Sequence, residues 1–154
     1  MKKIAMCFGI FDSLHAGHED YFRQAKDLAD ELVVVVARDQ TVVELRNNLP
    51  LNGETDRLAR VEGHPLVDEA KLGYLDDKYR VLDEFRPDFI CLGHDQEAFT
   101  ERLEAELARR GIAASVVRCL PYEPDIRQSS LLRGMREEDT GSFEAEYDEH
   151  GLPI

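Results

Sequence analysis

The stretch Gly9-Ile10-Phe11-Asp12-Ser-Leu-His15-Ala-Gly17-His18 concentrates the residue types that handle phosphate. Two imidazoles three positions apart can face one phosphoryl group if a helix begins at that point. Each can donate a hydrogen bond to oxygens that gather charge in a transition state. Gly9 and Gly17 would let a backbone approach a ligand closely. A single isolated histidine here reads as a surface or capping residue. The pair flanking a glycine, after Gly-x-Phe-Asp, favours chemistry instead. A zinc site is the weaker reading, because no third ligand stands at helpful spacing.

Such a motif works only if something holds it, and the surrounding pattern supplies that frame. Apolar runs alternate with helix-period segments, the pattern of βαβ units feeding a parallel sheet. Strands are predicted at Lys3 to Gly9, Glu31 to Ala37, Val67 to Leu72, Asp88 to Leu92 and Ala114 to Cys119. The run Val33-Val34-Val35-Val36 suits a strand covered on both faces. Helices are predicted at His18 to Leu28, Glu54 to Gly63, Asp77 to Phe85 and Gln96 to Arg110, the last closed by Gly111. A short helix is expected from Ser129 to Met135. The histidine motif then falls at the carboxyl end of the first strand and the start of the first helix. Open parallel sheets bind ligands at that end, often against a helix N-terminus.

Composition sets the outer bounds. At 154 residues and 43% apolar content, the chain has the size and core-forming material of one domain. Residues 1–136 are read as that domain, and 137–154 as an acidic tail carrying Glu137, Glu138, Asp139, Glu144, Glu146, Asp148 and Glu149 without Lys or Arg. No apolar run is long enough to suggest a membrane span. The start, MKKIAMCFGIFD, lacks the long apolar segment of a signal peptide and reads as the first strand of a cytoplasmic protein. Cys7, Cys91 and Cys119 all lie in strand-like segments and read as free core thiols. A net charge of −13 repels nucleic acid and anionic membranes, so polyphosphate binding would need local cations and Mg²⁺.

With these residues in view, Gly9-x-Phe-Asp12-x-x-His15-x-Gly17-His18 resembles the signature of the cytidylyltransferase-like nucleotidyltransferases. The resemblance implies an α/β fold with a Rossmann-like, doubly wound, five-stranded parallel sheet of the HxGH type. It also implies a nucleoside triphosphate and Mg²⁺ bound through its phosphates. An acceptor phosphate would attack the α-phosphorus directly and release pyrophosphate, with no covalent enzyme intermediate. A homodimer is implied as well.

The similarity continues to about Arg136. Glu31-Leu-Val-Val-Val-Val-Ala-Arg38-Asp39 resembles the second strand of archaeal-type FAD synthases and glycerol-3-phosphate cytidylyltransferases, whose closing Asp lies near the acceptor. Glu54-Thr-Asp-Arg57 resembles the family's Glu-x-x-Arg, whose Arg is expected to contact phosphate or acceptor. Leu92-Gly93-His94-Asp95-Gln96 is closer to the Leu-Gly-Tyr-Asp-Gln of archaeal FAD synthases than to the glycerol enzymes. Arg127-Gln-Ser129-Ser130-Leu-Leu-Arg133 resembles the Ser/Thr-rich last motif. Hydroxyls and free amides at a helix start, with an Arg one turn on, would cradle polyphosphate.

The resemblance therefore assigns catalysis to His15, His18 and Arg127. It places Gly9, Ile10, Phe11, Gly17, Gly93, His94, Asp95, Ser129, Ser130 and Arg133 at the nucleotide, and Asp12, Asp39 and Arg57 at the acceptor. A flavin would need a flat apolar slot, for which Tyr74, Tyr79, Phe99 and Tyr122 are candidate walls. Two features depart from the pattern: Ile10 stands where members usually carry a small hydroxyl residue, and Arg46 is the lone cation in Glu44-Leu-Arg46-Asn-Asn. The expected activity is transfer of AMP from ATP to FMN. A CTP-dependent enzyme acting on glycerol 3-phosphate or a similar ester, and a silent nucleotide sensor, remain as alternatives.

Overall fold

The computed structural model describes residues 2–94, 96 and 102–122. Its sheet has five parallel strands: β1 (Ile4–Gly9), β2 (Glu31–Val36), β3 (Glu69–Leu72), β4 (Phe89–Leu92) and β5 (Ser115–Arg118), in the order β3-β2-β1-β4-β5. The helices are α1 (Ala16–Leu28), α2 (Asp39–Arg46), α3 (Glu54–Glu62), α4 (Arg80–Phe85) and α5 (Leu103–Arg109). Asp95, Phe99, Arg127, Ser129, Ser130, Arg133, the helix expected at Ser129 to Met135 and the acidic tail lie outside the described residues.

Strand alternation builds two cores. Ala5, Cys7, Leu32, Val34, Val36 and Cys91 pack with Tyr21, Phe22 and Ala25 of α1 and Val61 of α3. Met6, Phe8, Val33, Val35, Ile90 and Leu92 pack on the other face with Val81 and Leu82 of α4 and Leu103 and Leu107 of α5. Successive side chains of a strand point to opposite faces, so an unbroken run of valines serves both layers. Hydrogen bonding among the three thiols, with burial added to it, pushes Cys91 and Cys119 above the usual range, which keeps them protonated and inert.

The five predicted strands are present, shortened by up to two residues at an end. Gly111 adopts φ +67, and the amides of Gly111 and Ile112 bond to the carbonyls of Ala108 and Leu107. This is the left-handed closure that the glycine announced. Helix α4 begins at Arg80, later than expected, because Tyr79 and Asp77 form a turn in which Asp77 accepts from the Tyr79 amide at 3.0 Å. Helix α2 was not foreseen. Its Thr41, Val42 and Val43 have low helix propensity, and only the burial of Val42 against Ile10, with Ala37 and Leu45 alongside, makes the helical register visible. It ends at Asn47 with φ 62, so Glu44 to Arg46 are helical and not part of a loop.

The sheet order reverses direction between β1 and β4, and a crevice opens there. The recorded β1–β4 pairing stops at Cys7 opposite Cys91. At that divide the Tyr21 hydroxyl donates to the Cys91 carbonyl at 2.6 Å and accepts from the Phe8 amide at 3.2 Å.

Candidate active site

Helix α1 begins where β1 turns into it, and the histidine pair is the device that starts it. His15 is the N-cap: its Nδ1 accepts from the Gly17 amide at 3.1 Å, while His18 Nδ1 accepts from the His15 amide at 3.3 Å. This is a reciprocal capping box built from imidazoles. The rings stack with centroids 3.8 Å apart. Because each Nδ1 accepts, the ring proton of each imidazole resides on Nε2, which makes both Nε2 atoms donors. Burial lowers the His15 pKa to about 4, so it is neutral near neutral pH. His18 is fully buried and meets the Phe11 ring edge-on at 5.1 Å. Both histidines thus cap the helix, the role that the sequence suggests for a histidine taken singly, whatever further chemistry the pair performs.

The segment before them is strained and clamped. Phe11 has φ 55, an unfavourable backbone for an aromatic residue, and its ring is fully buried against His18 and Phe22. A Cβ on Gly9 would lie 2.6 Å from Phe11 Cζ, so the glycine makes room for this ring. Ile10 is also wholly buried and packs on Val42. Its side chain anchors α2, which accounts for an aliphatic residue at a position where family members carry a hydroxyl. The departure is a packing feature and lends no support to a silent sensor.

Asp12, Asp39 and Arg57, expected on the acceptor side, are brought together at one corner by hydrogen bonds to residues 10, 51 and 52 and by one between Arg57 and Asp39. Asp12 is 2% exposed, and its two carboxylate oxygens accept from the amides of Asn52 at 2.8 Å and Leu51 at 2.7 Å. Arg57 is wholly buried; it donates to the Ile10 carbonyl at 2.7 Å, the Asn52 carbonyl at 3.0 Å and Asp39 Oδ1 at 2.8 Å. Both charged groups are therefore committed to protein partners, and they lock residues 10–12 to residues 51–53. Of the three, Asp39 keeps exposure, with 36% of its side chain accessible. Glu54 braces the same corner, accepting from the Asp39 amide at 2.9 Å and from Arg38 at 3.2 Å.

On the other side of the crevice, the turn after β4 is held from β5. Arg118 Nη1 donates to the carbonyls of Gly93 and Gln96, each at 2.8 Å, and buried Gln96 accepts from the Gly93 amide at 3.0 Å. Gly93 and His94 border a small hollow with Gly17, Asp20, Tyr21 and Tyr122. The expected nucleotide residues Gly17, Gly93 and His94 thus border one hollow, whereas Ile10 and Phe11 are fully buried and Gly9 borders a second cleft. Arg118 has no motif around it in the sequence and emerges only from the fold.

A second opening lies at the carboxyl ends of β1, β2 and β3. It is a cleft of about 120 Å³, walled by Phe8, Val35, Ala37 and Leu45, with Arg38, Lys78, Tyr74 and Gln96 at its polar margins. Of the aromatic residues proposed for a flavin wall, Tyr74 borders this cleft, Tyr122 borders the other hollow, and Tyr79 is buried in the core. Among the described residues no three His, Cys, Asp or Glu side chains are grouped to hold a metal ion. No helix among them is long and apolar enough to cross a membrane.

Known proteins share this sequence pattern and fold. The profile of the cytidylyltransferase-like family matches residues 6–135. An FAD synthase of Aciduliprofundum boonei is 46% identical over 117 residues, covering 76% of this chain and 78% of its own length. An FAD synthase of Thermoplasma volcanium is 41% identical over 130 residues, covering 83% and 89%. The crystal structure of a lipopolysaccharide core biosynthesis protein from Thermoplasma volcanium superposes with a TM-score of 0.74 at 38% identity, covering 79% of this chain and 99% of that one. Pantoate–β-alanine ligase of Francisella tularensis, at 15% identity and a TM-score of 0.52, shares the fold.

Proposed function

The chain belongs to the cytidylyltransferase-like family, and from that footing we propose that it is an FAD synthase, transferring AMP from ATP to FMN. The observation that carries this reading is the similarity to FAD synthases at 37% to 46% identity over most of the chain. The site has features suited to it: an imidazole pair at a helix start and, beside it, an apolar-walled cleft.

In this reading a phosphate oxygen of FMN attacks the α-phosphorus of ATP. The bond from that phosphorus to the bridging oxygen breaks, and pyrophosphate leaves with the electron pair. His15 and His18 donate from Nε2 to phosphate oxygens as charge spreads over them. Attack by an acceptor phosphate needs little proton transfer, so positioning and electrostatics supply most of the rate. Gly17, Gly93 and His94 border the nucleotide, and Asp95 is assigned to it by its motif. Arg127, Ser129, Ser130 and Arg133 are assigned to the departing pyrophosphate by their motif. Asp39 lies on the acceptor side, while Asp12 and Arg57 position that wall without touching substrate.

Mg²⁺, bound through the phosphates of the nucleotide, would neutralise part of their charge; among the described residues no three His, Cys, Asp or Glu side chains are grouped to hold it. A homodimer is part of the proposal, checked by light scattering. The activity is tested by crossing ATP or CTP with FMN, glycerol 3-phosphate or phosphopantetheine and measuring pyrophosphate and product. FAD from ATP and FMN alone is expected. Turnover with CTP and a small ester, or none with any pair, would overturn the assignment.

A further inference from the structure

We infer that Arg38 is a specificity residue that reads the carbonyl edge of the flavin ring; this rests on the FAD synthase reading. Arg38 lines the apolar-walled cleft, and its guanidinium is fixed before any ligand arrives. Its Nε donates to the Gly73 carbonyl at 2.8 Å, and Nη1 to Glu54 at 3.2 Å. About a third of the side chain is exposed, at 34%. Nη2 has no bond to a protein group among the described residues. A planar fork held at two of its nitrogens presents the third in a set direction and loses little entropy on binding.

Its position selects which part of the acceptor it meets. Gly9 ends β1 opposite Val36, and the Gly73 amide bonds to the Val36 carbonyl, so the ends of β1 and β3 are level. Two strand spacings separate them, about 10 Å. The reacting phosphate belongs near the end of β1, where the chain passes into the histidine motif. The Arg38 guanidinium is anchored at the end of β3, on the far side of the cleft. FMN places its ring carbonyls at the far end of a polyol chain from its phosphate and spans such a gap, whereas a small phosphate ester ends short of it. Phe8, Val35, Ala37 and Leu45 supply the apolar walls that a flat ring needs. Glu54 offsets part of the Arg38 charge, which suits a neutral carbonyl better than a second phosphate.

The test titrates flavin fluorescence with wild-type protein, Arg38→Gln and Thr41→Phe, using FMN and riboflavin as separate probes and thermal melting to verify folding. Riboflavin carries the ring without the phosphate. Arg38→Gln is expected to weaken both flavins by a similar factor, on the order of ten-fold or more, with the KM for ATP unchanged. Thr41→Phe fills the cleft from α2 without touching the Arg38 anchors, and should weaken both flavins even if Arg38→Gln misfolds. Loss of FMN binding alone in Arg38→Gln would mean that the residue reads phosphate. Unchanged binding of both flavins, or a wild type that binds FMN but not riboflavin, would likewise overturn the inference while the FAD synthase reading stands. A wild type that makes no FAD from ATP and FMN would remove that reading and this one with it.

Discussion

Arg57, wholly buried, donates from Nη1 to the carbonyl of Ile10 at 2.7 Å and so fixes the residue before strained Phe11. The same guanidinium holds Asn52 and Asp39. A left-handed aromatic residue persists only where its neighbours over-determine it, and this clamp is one of the neighbours. Arg57→Met keeps the bulk and removes the donors. It is expected to destabilise the fold by about 3 kcal/mol, measured by urea unfolding, because the carbonyls and Asp39 lose a charged partner.

The two histidines cap a helix and, in the proposed mechanism, bind phosphate; substitution can separate these tasks. Asn is a good N-cap, and Gln fits the third position of a capping box. His15→Asn and His18→Gln should therefore lower turnover on the order of 10² to 10⁴ while shifting the melting temperature less than His15→Ala and His18→Ala. Alanine at His15 should lose about 1 kcal/mol from the cap alone. Equal melting temperatures for the Asn and Ala variants would contradict the capping role.

Burial of His15 makes stability depend on pH in a defined direction. Its pKa falls from 6.5 to about 4 on folding, so between those values the unfolded chain holds a proton that the folded chain does not. The contribution is complete above pH 6.5 and is lost as pH falls toward about 4. Wild type should accordingly lose stability relative to His15→Asn as the solution is acidified through this window.

Gly9 has no freedom to grow. Its added Cβ would lie 2.6 Å from Phe11 Cζ and 2.8 Å from Cε2. Gly9→Ala is expected to destabilise by about 1–3 kcal/mol. Phe11→Leu in the same chain should recover part of that loss, which a double-mutant cycle by thermal unfolding would measure.

Ile10→Thr installs a hydroxyl at the position where the family pattern has a small residue, often Thr or Ser. Because Ile10 is buried against Val42, the change should weaken the anchoring of α2 by about 1–2 kcal/mol and leave kcat nearly unchanged. A several-fold rise in kcat would show that the hydroxyl reaches substrate.

The order of the five strands was written in the sequence, and so was the strand-to-helix junction at which the histidine motif falls. Alternating apolar periods fix strands and helices locally, Gly111 closes its helix by backbone conformation alone, and the histidine motif sits where a strand meets a helix in any parallel sheet. Packing decided what each motif residue does. Helix α2 was hidden because its propensity is poor and its register comes from Val42 meeting Ile10. Arg57 and Asp12 read as ligand contacts, yet they are buried with their bonding capacity turned to backbone groups some forty residues away in sequence, Ile10 for Arg57 and Leu51 and Asn52 for Asp12. Arg118 and Arg38 gained their places only when separate strand ends were brought level. Periodicity is a local property that a sequence displays; which donor finds which carbonyl depends on long-range neighbours, and those exist only in the folded chain.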